Sequence, residues 1–167
     1  MIKTADVRAT LDSFTKAYIE AMFWSSTTEP YGQCPQCGKD DQILCRWNDD
    51  QEYVCMDCSS REPNYEPPTD QNYGIEDLAP ETMERIQKDC SGFQEQNGET
   101  ISDAECSGEY STWEQAGHDF WLTRNGHGAG FWDGDWSEPA GEQLTAAAKK
   151  FGELSLYVGD DGKLRLQ

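Results

Sequence analysis

Basic residues are scarce in this chain: 13 Lys and Arg stand against 32 Asp and Glu, a formal net charge of −19. So negative a molecule repels phosphate backbones, which argues against direct nucleic-acid binding as its role. Long apolar runs are missing too. No stretch approaches the roughly eighteen residues that cross a bilayer, and MIKTADVRATLDS lacks the apolar segment of a secretory leader. A soluble, cytoplasmic protein is the expectation. Histidine occurs only twice, and apolar residues make up just 36% of the chain. Aromatics, at 11%, offset that shortage because large rings bury much area per residue. A length of 167 residues fits one domain with a small appended module.

The charge imbalance is concentrated in the middle. Between Glu62 and Glu109 thirteen acids face only Arg85 and Lys88, which gives that third −11. One reading is a solvated, solubilising surface. The other is a surface that attracts basic sites on other proteins, including sites that normally hold DNA or RNA.

Seven cysteines sit at 34, 37, 45, 55, 58, 90 and 106. CPQCGKDDQILCRWNDDQEYVCMDC holds two Cys-x-x-Cys pairs separated by seventeen residues, the spacing of a zinc ribbon. Each pair forms a tight knuckle with both sulfurs pointing one way, and a hairpin joins the knuckles into a tetrahedral thiolate shell. Cys34, Cys37, Cys55 and Cys58 are the expected ligands, with Gly38 easing the first turn. DQILCRW and QEYVC supply the strands, and Asn48, Asp49 and Asp50 the turn. Cys45 is left as a free thiol. Disulfides are disfavoured by the odd count and the missing leader. Four thiolates close the shell, so the zinc is expected to be structural.

Periodicity places the remaining elements. Val7, Leu11, Phe14, Tyr18 and Met22 predict a helix from Thr4 to about Trp24. LAPETMERIQKDCSGFQEQNG predicts a second, opened by Pro80, striped by Met83, Ile86, Cys90 and Phe93, and closed at Gly98. A helical turn is expected near Ser111 to Gln115. DFWLTR and GFWD read as strands around a glycine-rich turn. PAGEQLTAAAKKFGE follows as a helix, with Leu144, Ala147, Ala148 and Phe151 on one face. Leu154, Leu156 and Val158 then alternate into Asp161-Gly162, and Leu164 and Leu166 alternate out, a hairpin. The expected class is α+β: a small antiparallel sheet packed with amphipathic helices. In this division residues 1–30 give the first helix of the main domain, 31–68 an inserted ribbon with a Pro-rich return, and 69–167 the remainder.

HDFWLTRNGHGAGFWDGDW, residues His118 to Trp136, holds both histidines and three of the six tryptophans. Its glycines do not open a helix, so a phosphate-cradling loop is disfavoured. Read as a hairpin turning at Asn125-Gly126, the segment brings His118, Asp119, His127, Asp133 and Asp135 toward one another, the residue types of a metal or acid-base site. The competing and favoured reading is that these side chains satisfy backbone donors around a structural hairpin.

AGHDFWLTRNGHGAGFWDGDW, with LAPETMERI before it, AAKKFGELSLYVGDDGKLRL after it and FTKAYIEAMFWSS in the first helix, resembles a group of small acidic proteins of bacteriophages and prophages. In that group the first helix commonly joins the APET helix through a short linker, so the segment from Cys34 to Cys58 departs from the pattern. The resemblance implies a phage accessory role and supplies no catalytic residues. Together with the charge it points to an inhibitor that binds a nucleic-acid-binding host defence protein, of restriction or CRISPR type, by acidic mimicry. Glu81, Glu84 and Asp89 are the expected contact residues, with Trp113 or Trp136 as aromatic anchors. Two other classes stay open: a metal-dependent hydrolase or nucleotide-processing enzyme using the His/Asp segment, and a zinc-ribbon adaptor for host transcription machinery.

Overall fold

A computed structural model describes residues 10–26, 31–39, 42–46, 53–55, 58, 69, 73–108 and 110–167, with the side chains of 31–32, 42–46 and 53–55 left out. The elements in chain order are α1 (Ser13–Ser25), β1 (Tyr31–Gly32), β2 (Gln42–Arg46), β3 (Tyr53–Cys55), a 3-10 turn (Ile75–Asp77), α2 (Pro80–Asp103), α3 (Thr112–Arg124), α4 (Ala140–Lys149), β4 (Leu156–Val158) and β5 (Leu164–Leu166). The class is α+β. Among the described residues no helix is long and apolar enough to cross a membrane. The expected turn at Asn48 to Asp50, the Pro-rich return at 61–68 and the stretch from Thr4 to residue 9 lie outside the described residues.

Thr10 is helical, the chain breaks at Leu11 and Asp12, and helix α1 starts at Ser13. Asp12 is extended, and its carboxylate accepts from the Thr15 backbone N–H and hydroxyl, both at 2.8 Å. An N-cap of this kind supplies one of the acceptors that the first turn lacks. Helix α2 begins at Pro80 as expected and buries Ile86, Cys90 and Phe93. It runs past Gly98 to Asp103 because Ile101, fully buried, lies beyond the glycine. Burying that side chain offsets the roughly 1 kcal/mol a mid-helix glycine costs.

The largest departure is α3. Residues 119–124, expected as a strand, are helical, and 130–133, expected as its partner, form turns and bends. Ser111 and Glu114 build a reciprocal cap: the Ser111 side chain accepts from the Glu114 N–H, and the Glu114 carboxylate accepts from the Ser111 N–H. From Gln115 to Arg124 every residue but His118 is buried. A helix buried all round shows no one-sided apolar stripe, and so no helical period in its sequence. The predicted short turn at Ser111 is its first turn.

Around α3 the core is a cluster of rings. Phe93 stacks on Phe120 with centroids 4.1 Å apart, and Phe14, Phe131 and Phe151 pack against this pair. The C-terminal hairpin forms as expected, with Leu156 opposite Leu166 and Val158 opposite Leu164. It docks on the start of α2, where the Ala79 N–H donates to the Leu164 carbonyl at 3.0 Å.

Candidate functional site

The three-stranded antiparallel sheet β1-β2-β3 carries the cysteine pairs. Tyr31 lies opposite Ile43 and Leu44 opposite Cys55, which brings the segment after β1 beside the end of β3. After β1 the chain makes a tight knuckle: the Gly38 N–H donates to the Cys34 carbonyl at 2.8 Å, and the Cys34 N–H to the Lys39 carbonyl at 2.9 Å. Gly38 has φ +72°, a conformation that glycine takes without the steric cost a Cβ brings. The Sγ atoms of Cys34, Cys37 and Cys58 lie within 4.8 Å of one another, close enough to hold a metal ion. Thiolates about 2.3 Å from a tetrahedral ion stand roughly 3.8 Å apart, so small side-chain adjustments bring these three sulfurs to that spacing. The backbone of Cys55 ends β3, three residues before Cys58; its side chain, like that of Cys45, lies outside the described residues.

Elemental analysis of the reduced, purified chain is expected to find one metal ion per molecule. Cys34→Ser and Cys58→Ser should each lose it while keeping most of the helical circular dichroism, because the helices pack around a different centre. Reduced protein without metal would remove this site.

The His/Asp segment behaves differently. With 112–124 helical, the segment is not a hairpin: Asp119 and Trp136 still meet, but the five candidate side chains do not gather their ligand atoms. His118 packs against Trp24 and Tyr110, whereas His127 lines a separate groove with Ser25, Trp121 and Glu153. Burial depresses the His127 pKa, which keeps that ring neutral at pH 7. Asp119, only 1% exposed, accepts from Gln115 Nε2 at 3.0 Å and Trp136 Nε1 at 2.7 Å, with His118 Nδ1 3.3 Å away. Asp133 accepts from the backbone N–H groups of Gly130 and Asp135, at 3.1 and 3.3 Å. Asp135 lends its carbonyl to the Ser107 N–H at 2.8 Å. Among the described residues no second set of three His, Cys, Asp or Glu side chains gathers its ligand atoms as the cysteines do.

The glycine loop is structural in detail. Gly126 has φ +67° and open space around the position of a Cβ. Gly126→Val is therefore expected to cost about 1–2 kcal/mol through backbone strain, whereas His127→Ala should cost less. Urea unfolding of both variants measures the difference, and the reverse order would give the imidazole a role the loop does not show.

The predicted contact acids divide. Asp89 is turned inward onto the buried guanidinium of Arg124, Oδ2 to Nη1 at 2.9 Å. Glu81 pairs with Arg165 Nε at 3.1 Å, and Glu84 is exposed. Asp89 is thus spent inside the fold. Three others of the thirteen acids form a row along the second half of α2: Glu95, Glu99 and Asp103, all exposed, at i, i+4 and i+8. One turn separates successive members, so a carboxylate recurs about every 6 Å along the axis.

Of the expected aromatic anchors, Trp136 is buried, at 3% exposed, and Trp113 is half-buried, packed edge-on to Phe14. The exposed large rings among the described residues are instead Trp24, Tyr110, Trp132 and Tyr157. Sequence alone could not separate these, because the Thr123 hydroxyl accepting from the Phe131 N–H at 3.0 Å helps fix which loop rings turn inward. The sequence matches no family model, and comparison with curated proteins and with solved structures finds no similar chain.

Proposed function

We propose that this protein is a phage accessory inhibitor that acts in the cytoplasm of an infected bacterium, occupying the nucleic-acid site of a host defence protein without catalysis. The observation that carries the reading is the Glu95, Glu99 and Asp103 row. Asp103, in the last turn of α2, opposes the helix dipole at about 0.3–1 kcal/mol, and like charges at i, i+4 along the row repel by a few tenths more. No basic residue sits in the last turn of α2 to relieve them. The row is unfavourable for the helix and well suited to a basic partner. Its axial charge density is roughly half that of one DNA strand, on which a phosphate recurs about every 3.4 Å.

The ion of the cysteine cluster is proposed to be a structural zinc, since thiolate donors in paired knuckles favour it. Resemblance to phage proteins supports the setting. The hydrolase alternative has less support, because its five residues are dispersed or engaged as described above.

A restriction or CRISPR nuclease assay tests the reading. Added before DNA, the protein is expected to block cleavage; added after the nuclease has bound DNA, it should act slowly or not at all. Raised salt should weaken the block by screening the opposed charges. Inhibition that ignores both salt and order of addition would contradict occupation of the DNA site.

A further inference from the structure

Trp24 is an anomaly within its helix. Phe14, Tyr18 and Phe23 of α1 are buried, yet Trp24 is 46% exposed. It closes one end of a cleft of about 310 Å³ between α1 and the start of α3, with Tyr110, itself 58% exposed, and His118 also lining it. The three rings form a continuous set. His118 stacks with Trp24 at 5.6 Å and 26°, and lies 5.9 Å from Tyr110 at 31°. Gly117, pressed against the Phe14 carbonyl, fixes the separation of the two helices just beneath. The Asp119 carboxylate, 3.3 Å from His118 Nδ1, holds the imidazole from behind.

The polar lining is acidic on balance. Glu20 and Glu114 contribute carboxylates against the single ammonium of Lys16. Hydrogen bonds from Ser111 hold the Glu114 carboxyl below the usual range, so it is ionised at neutral pH. An occupant must therefore offer a flat face to the rings and positive charge to the carboxylates. Guanidinium has both: it stacks on aromatic faces and pairs with carboxylates through two parallel N–H donors. An ammonium lacks the plane. A nucleotide supplies the plane but carries phosphate charge of the wrong sign for a chain at −19.

We propose that the cleft formed by Trp24, His118 and Tyr110 receives an arginine side chain of a partner protein. This goes beyond the acidic-row reading, since it uses a different surface and its test needs no host partner.

The test is a titration of the full chain with N-acetyl-arginine methylamide at constant ionic strength, followed by two-dimensional NMR. Saturable shifts are expected at the Trp24 indole N–H, Tyr110 and His118. The lysine analogue should bind about tenfold more weakly, the difference made by losing the stacked, bidentate geometry. Trp24→Ala should abolish the shifts, and Trp132→Ala, which removes an exposed ring on the glycine loop, should leave them intact. Reversing Glu95, Glu99 and Asp103 to Lys should also leave them intact, which separates this proposal from the preceding one. No saturable shift in the unaltered chain would overturn it. So would an equal response to the lysine or norleucine analogue, or tighter binding of adenosine monophosphate.

Discussion

Gly117→Ala is expected to lower the unfolding free energy by about 3 kcal/mol or more, one of the largest effects available to the addition of one methyl group. A Cβ at this position would lie 2.0 Å from the Phe14 carbonyl oxygen and 2.8 Å from its carbon. Both are backbone atoms, so no side-chain rotation relieves the overlap. The helices α1 and α3 must separate, and the ring contacts of Phe14 and Tyr18 with Phe120 and Trp121 loosen together. Gly92→Ala is the control. It lies within α2, where the nearest atom to a Cβ would be Phe151 Cε1 at 4.0 Å, so the better helix propensity of alanine should stabilise by roughly 0.5–1 kcal/mol. Urea unfolding should show the Gly117→Ala midpoint falling with the slope unchanged. A loss under about 1 kcal/mol would mean that the crossing is looser than described.

Arg124→Met should cost about 3–5 kcal/mol, because it deletes one partner of a buried ion pair. The Arg124 side chain is 0% exposed. Its Nε donates to the Gly152 carbonyl at 2.8 Å and Nη2 to the Phe151 carbonyl at 2.9 Å. Nη1 donates at 2.9 Å to both Asp89 and the Tyr18 hydroxyl, and the guanidinium carbon lies 5.4 Å from the Phe120 ring centroid. Methionine fills similar volume but leaves a carboxylate, a phenol and two carbonyls without their donor. The Tyr18 hydroxyl is pushed far above its ordinary pKa by burial and stays a neutral partner. Combining Arg124→Met with Asp89→Leu should recover part of the loss, since the unpaired charge then disappears. Thermal unfolding of the four proteins in this cycle gives the coupling. Additive losses would mean that the pair contributes nothing beyond its separate parts.

The same pair explains why the site was only partly legible in the sequence. Paired cysteines announce themselves by spacing, and α2, α4 and the final hairpin by apolar period. Helix α3 has no such period because it is buried on nearly every side, and the alternation in DFWLTR imitates a strand. The one local signal for its helix was the Ser111-x-x-Glu114 cap, which points to more than a single turn. Nothing local marks Asp89 as internal: its partner is 35 residues away, and Tyr18 meets the same guanidinium across 106 residues. Acidic composition alone therefore grouped an inward carboxylate with outward ones. Only the helical face distinguishes Asp89 from Glu95, Glu99 and Asp103.

Reversing all three members of that row to lysine tests most directly whether they serve a partner or the fold. A lysine at 103, in the last turn of α2, complements its dipole, and exposed charges contribute little elsewhere, so the variant should unfold within about 1 kcal/mol of the unaltered protein. The same variant should lose its block of a DNA-cleaving defence nuclease at low salt. A stable variant that still inhibits as well as the unaltered protein would contradict the acidic-row account.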